Sequence, residues 1–237
     1  MSGIARQTAG PDGTLQSRKT HLNAKRTARA AFSMALTKLP YKRLQHLVGL
    51  HLSTVEDAHA AALIKELSAV RKRGCLTRAE LIKVCKWKSA RAIRHIRHNQ
   101  ARTVINVTTA AFGARSEQKK LSLLTSLHGV SVPMASAILM LTNPVRYGVI
   151  DIRVWRLLYT MGAVTTNADG AGFSFREWYR FLTIIRFFAG KYGVTARDIE
   201  RTLFNVHARY QRGLLYGSRR LRSGSQSPRQ NRLARVT

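Results

Sequence analysis

A chain of 237 residues with 45% hydrophobic content is long enough to bury one large or two small cores, which excludes a wholly disordered protein. Its 41 Lys and Arg face only 11 Asp and Glu, a formal net charge of +30, so polyanions are favoured and nucleic acid is the leading partner. No apolar run approaches the roughly 18–20 residues of a membrane span, so no membrane partner is expected. The two cysteines, Cys75 and Cys85, give neither a disulfide framework nor a cysteine-held metal centre.

Residues 1–30 are rich in Gly, Ser, Thr, Gln and basic side chains with little apolar periodicity, and read as a flexible basic arm. They lack the apolar core of a secretory signal, so the expected location is the cytoplasm, nucleoid-associated if the source is prokaryotic. Residues 31–215 read as one helical domain of the all-α class. Helices are predicted at 41–50, 54–72, 78–86, 90–98, 100–112, 117–126, 132–142, 152–162, 175–191 and 196–212. Thr77 with Glu80 and Ser174 with Glu177 have capping-box spacing, and Thr195 with Asp198 gives a similar start. TVINVTT at 103–109 is the one β-like run within this pattern. Residues 216–237 carry six arginines and no acid and read as a disordered basic tail. Both ends either add sequence-independent affinity for phosphate or merely keep the chain soluble.

The densest information lies at 123–158, where a Gly-centred hairpin between two apolar helices is followed by an isolated Asp. Gly129 lets the backbone turn without a Cβ, with Leu127, Val130, Ala135, Ile138 and Leu139 packing the two helices together. Backbone N–H groups opening the second helix suit a phosphate, and His128 sits in the turn itself. An ordinary helical corner would carry the same pattern. Asp151, 22 residues beyond Gly129, follows a second helix-breaking stretch with Pro144 and Gly148. Its carboxylate is placed either to cap the helix that begins there or to activate water or stabilise an oxocarbenium-like sugar, and the two roles are compatible.

LHGVSVPMASAIL followed by VIDIRVWRLL resembles the helix-hairpin-helix DNA glycosylase superfamily of the endonuclease III type, with its L-x-G-V-G-x-x-x-A hairpin and V-D-x-x-V-x-R segment. The hairpin covers about 117–142. More loosely, Trp87, Lys88, Ser89 and Arg91, and the segment Arg197 to Leu203, resemble segments of small prokaryotic members. The resemblance implies an all-helical, two-lobed fold with double-stranded DNA in the cleft and a base flipped into a pocket near Asp151. It carries Asp151 over as the catalytic carboxylate, and Gly129 and Ser131 as phosphate contacts. Bifunctional members hold a lysine nucleophile where this chain has Pro133, so a Schiff-base mechanism at that position is excluded. What it implies is therefore a monofunctional glycosylase, monomeric and without a cofactor; the four-cysteine cluster of some members is absent, and the family's second hairpin glycine is Ser131 here.

Elimination among the acids also favours Asp151. Glu80, Glu177, Asp198 and Glu117 fall in first helical turns, Glu56, Asp57 and Glu66 on an expected exposed helix face, and Asp169 and Glu200 have no evident partner. Asp12 lies in the N-terminal arm, and no convergent acid cluster for two-metal chemistry is seen. Lys83, Lys86, Lys88, Arg91, Arg94, Arg97 and Arg102 surround Trp87 on a basic helical surface. Lys88 and Arg91 are candidate DNA contacts, and Trp87 either stacks on a flipped base or anchors the core. Arg153 and Arg156 are placed to pair with Asp151 or to reach the DNA backbone. His95 and His98 have helical metal-ligand spacing without a third ligand, so no metal site is expected. Trp155, Trp178, Phe181, Ile184, Phe187 and Phe188 are expected in the core. A non-catalytic DNA-binding protein and a basic RNA-binding protein are the alternative functions.

Overall fold

The computed structural model describes residues 39–211, which are mostly helical and contain no strand. The expected arm and tail, 1–30 and 216–237, lie outside the described residues. The helices are α1 (Leu44–His51), α2 (Ala58–Leu67), α3 (Val70–Arg73), α4 (Arg78–Ser89), α5 (Ile93–Ile96), α6 (Ala101–Gly113), α7 (Glu117–Thr125), α8 (Val132–Thr142), α9 (Ile152–Thr160), α10 (Phe175–Tyr192) and α11 (Ala196–Tyr210), with a 3₁₀ turn at Ala90–Ala92. The β-like run 103–109 is helical, inside α6, where Val104, Thr108 and Ala111 face the core at helical spacing. Tertiary packing of that stripe overrides the local β preference of Val, Ile and Thr.

The predicted starts are built as the sequence specifies. Thr77 and Glu80, Ser174 and Glu177, and Thr195 and Asp198 each form the reciprocal capping pair, satisfying two otherwise orphaned N–H groups per helix. Two predicted helices are interrupted. The expected span 54–72 begins only at Ala58, capped by Asp57 through the Ala60 N–H, and breaks again before α3. Residues before Asp57 are drawn onto α11 instead: Arg201 donates to the Ser53 carbonyl at 2.7 Å, and Glu56 binds Arg197 and Arg201. The span 90–98 is a 3₁₀ turn followed by the single turn of α5, because Ser89 leaves the helical region (φ −163°).

Two helices organise the packing. Helix α8, buried from Met134 through Thr142, is contacted by α2, α4 and α7. A helix apolar on every side has no solvent face and belongs at the centre. Helix α11 is contacted by α1, α9 and α10. Its first N–H groups, at Ala196 and Arg197, donate to the carbonyls of Val145 and Pro144, which fixes α11 to the loop leaving α8. Trp155, Trp178, Phe181, Ile184 and Phe188 are buried as expected, whereas Phe187 is 63% exposed. It lies one residue before the buried Phe188 on α10, so helical geometry turns it away from the core.

Candidate functional site

The α7–α8 turn is held by features of three kinds. Gly129 has φ +76°, a conformation that costs any residue with a Cβ, and a Cβ there would lie 2.8 Å from the His95 Cβ. The turn is therefore pressed against α5 with no room for a side chain. Asn99, buried beneath it, accepts from the His128 N–H and donates to the His128 carbonyl, both at 2.9 Å. Asn99 was not evident from the sequence; only its position just after α5 brings it to the hairpin. Ser131 takes φ −81°, ψ 171°, an ordinary extended conformation. The glycine expected by resemblance at this position is thus unnecessary for the turn. The Ser131 hydroxyl makes no capping bond, and Pro133 in the first turn of α8 has no N–H to donate.

Asp151 is the N-cap of α9. Its Oδ1 accepts from the N–H groups of Arg153 and Val154, each at 3.0 Å, while Oδ2 faces Lys88 Nζ at 3.7 Å. Their side chains are 19% and 17% exposed, so the pair is half-buried and reachable from solvent. The backbone leading to Asp151 is pinned from two sides: the Ile150 N–H donates to Ser136 Oγ of α8, and the Val149 N–H donates to Glu200 Oε2 of α11. Gly148 permits the second contact, since a Cβ there would meet the Glu200 Cβ at 2.7 Å. Three elements, α4, α8 and α11, thereby set the position of one carboxylate.

Two cavities flank the Asp151–Lys88 pair and share both residues. The first, about 870 Å³, is lined by Arg91, Ser131, Pro133, Met134, Arg153, Arg156, Asp169, Gly170 and Phe173 as well as the pair. It brings together the start of α8, Asp151 and the predicted basic residues Lys88, Arg91 and Arg153. The second, about 610 Å³, is lined by Trp87, Glu56, Asp57, Arg197, Glu200, Arg201, Phe204 and Asn205 beside the pair. Trp87 is half-buried, with the Arg197 guanidinium 5.8 Å from its ring centre. His128 and Gly129 line neither cavity: His128 is exposed, and both support the turn rather than the cleft.

The structure reassigns several partners. Arg153 does not pair with Asp151; it donates to Gln211 Oε1 at 2.6 Å and lies over the Phe204 ring. Arg156 donates to the Asp169 carbonyl at 3.1 Å. Lys88 takes the carboxylate instead. Glu56 and Glu200 are neither exposed nor unpartnered: Arg197 binds Glu56 through two nitrogens, at 2.8 and 3.0 Å, and also binds Glu200, while Arg201 bridges Glu56 and Asp198. Within α11 the spacing of Arg197 with Glu200 and of Asp198 with Arg201 is a local mark, but nothing local tied Glu56 to them, because it lies far from α11 along the chain. Burial raises the Glu200 carboxyl above its ordinary range; Arg197 opposes that shift and Asp151 adds to it. Burial, reinforced by Arg153 and opposed by Asp151, holds the His207 imidazole down at about 4, so it is neutral at physiological pH.

Among the described residues no group of three or more His, Cys, Asp or Glu is arranged to hold a metal ion, and no helix is long and apolar enough to cross a membrane. His98, in the turn after α5, has its Nδ1 2.8 Å from the Arg94 carbonyl of that helix. Cys75 and Cys85 are free thiols. No family model, curated protein or solved structure matches this chain.

Proposed function

We propose that the protein binds duplex DNA through the α7–α8 hairpin and its basic surroundings, and hydrolyses the N-glycosidic bond of a damaged or modified base. The fold is then a two-lobed helix-hairpin-helix glycosylase, with the cleft between the helices around α8 and those around α11. One observation carries the reading: Asp151 presents its second carboxylate oxygen, faced at 3.7 Å by Lys88 Nζ, into a cleft that also contains the start of α8, Arg91 and Arg153. An anionic backbone suits the first cavity, where four cations face two acids. The second cavity has four acids against three cations and an indole wall, which repels phosphate and suits a flipped base.

In this reading Asp151 Oδ2 orients a water towards C1′ and stabilises positive charge developing on the sugar as the bond to the base breaks. Oδ1, engaged with the α9 N–H groups, keeps the carboxylate in place. The test is to incubate the protein and Asp151→Asn with duplexes carrying different altered bases, then reveal abasic sites by alkali. Alkali-labile cutting of one duplex by the wild type alone supports hydrolysis. Tight, salt-sensitive binding of every duplex without base release by either protein favours a non-catalytic grip instead, a reading consistent with Asp151 already having a structural role as a cap.

A further inference from the structure

Phe187, expected in the core, is 63% exposed, and Tyr179, two turns earlier on the same helix, is 48% exposed. Among the described residues no other Phe, Tyr or Trp is exposed to this degree. Helix α10 turns one side to solvent, where Tyr179, Thr183 and Phe187 recur at every fourth residue beside Arg176, Arg180 and Lys191. That side exposes no acid; Glu177 is half-buried and accepts from the Ser174 N–H in the cap of α10. Arg180 donates to the Ala163 carbonyl at 3.3 Å, and none of the three cations is paired with a carboxylate among the described residues. Tyr179 is stacked on Phe175, with ring centres 5.5 Å apart and planes 26° from parallel, and Phe187 stands edge-on to Phe188. Rings braced in this way need little further ordering to accept a stacking partner. Neither Tyr179 nor Phe187 lines a cavity at Asp151.

The charge of the chain itself narrows the occupant. Residues 1–38 hold seven Lys and Arg against one acid, residues 212–237 hold seven arginines and no acid, and a second copy brings a net charge of +30. This face repels all three. What suits it is an anion that also presents flat apolar surface. A DNA duplex keeps the faces of its bases stacked inside, whereas an unpaired strand offers them. Bases stacked on aromatic rings, with phosphates on Arg and Lys, are the common grip on such a strand. An anionic bilayer fits less well, because an interfacial helix buries a broad apolar face and here two rings are separated by Thr183.

We propose that the exposed side of α10 is a binding site for single-stranded DNA, in which Tyr179 and Phe187 stack on bases while Arg176, Arg180 and Lys191 follow the phosphates. The choice of an unpaired strand rests on the rings; the choice of DNA over RNA rests on the reading of the Asp151 cleft as a DNA site. Helical rise sets the two rings about 12 Å apart along the axis. That separation matches about three or four nucleotides of a stacked strand.

The test uses the full chain and a fluorescent oligo-dT at about 200 mM salt, where contacts made by charge alone are weakened. With 5-iododeoxyuridine in the oligonucleotide, irradiation of the wild type should give crosslinks that map by peptide sequencing to Tyr179 or Phe187. Replacing both rings together, Tyr179→Ala with Phe187→Ala, should weaken oligo-dT by about tenfold or more with the salt dependence unchanged. The same pair should leave duplex binding as it is. Tyr179→Phe with Phe187→Tyr keeps both rings and should bind as the wild type does. Changing Arg176, Arg180 and Lys191 to Gln should instead flatten the salt dependence, lowering its slope by about 2. Crosslinks confined to other segments overturn the proposal, and mapping them on the wild type needs no variant to fold. An equal loss on duplex and single strand overturns it too, as does oligo-U bound at least as tightly as oligo-dT. Polyglutamate displacing oligo-dT as effectively as unlabelled oligo-dT would give the face to an acidic protein segment instead. Crosslinks at α10 without release of any altered base would sink the glycosylase reading alone, and base release without such crosslinks would sink this proposal alone.

Discussion

The two walls that meet at Asp151 are built by opposite means. The hairpin wall depends on backbone: a positive φ at Gly129, a turn pressed onto α5, and Asn99 bridging its own segment to the His128 peptide groups. The α11 wall depends on side chains: Glu56, Arg197, Asp198, Glu200 and Arg201 form a buried ion cluster joining segments about 140 residues apart. The backbone-built wall tolerates changes in side-chain chemistry except at Asn99, whose amide pairs with the His128 peptide groups, and none that alter φ at Gly129. A charge-built wall is most sensitive at its bridging arginines: loss of Arg197 leaves Glu200 buried without its cation, and loss of Arg201 does the same to Asp198.

The largest effect should come from breaking the charged wall. Arg197→Met leaves Glu56 and Glu200 without their principal partner, and denaturant unfolding should show a loss of about 3–5 kcal/mol. On the backbone wall, Gly129→Ala forces a Cβ into positive φ and to within 2.8 Å of the His95 Cβ. It should cost about 2 kcal/mol by the same measurement. If Gly129→Ala proves more damaging than Arg197→Met, the contrast between the walls is reversed. Where the walls meet, Asp151→Ala removes the cap of α9 and should cost about 1 kcal/mol, whereas Asp151→Asn keeps a good cap and should stay within about 0.5 kcal/mol of wild type. Both should lose base release by about 100-fold or more, which separates the cap from the chemistry.

The smallest effect at neutral pH belongs to His207, buried behind Arg153. As pH falls below its ordinary value of 6.5, the unfolded chain takes up a proton that the folded imidazole refuses until about pH 4. Its stabilising contribution is therefore complete above pH 6.5 and shrinks progressively towards pH 4. In urea titrations from pH 7 to 4, His207→Gln should lose stability less steeply than wild type over that window and show the same pH dependence above it.

Legibility in the sequence follows the range of the interactions. Helix starts at Thr77, Ser174 and Thr195 were readable because a cap and its partner lie three residues apart. Lys88, Arg91, Ser131, Asp151 and Arg153 line one cavity, while His128, Gly129 and Trp87, expected with them from the sequence, do not line it. The Lys88–Asp151 pair was not readable, since it depends on how α4 crosses the start of α9, and Arg153 was the nearer candidate along the chain. Glu56 looked like a residue of an exposed helix; contacts to Arg197 and Arg201 hold its segment outside α2. Glu200 became intelligible only with Gly148, whose missing Cβ admits the Glu200 side chain. Phe187 shows the reverse failure: apolar periodicity marks a face too broadly to say which of two adjacent aromatics turns inward.

Asp151 has a further consequence through its rotational freedom. A solvent-facing carboxylate samples several rotamers, and a reaction that needs one of them must first discard the rest. Two N–H groups from α9 hold one oxygen here, so the torsions that aim the other are selected along with the helix itself. The loss of entropy needed to aim that oxygen is met as the chain folds, before any ligand arrives.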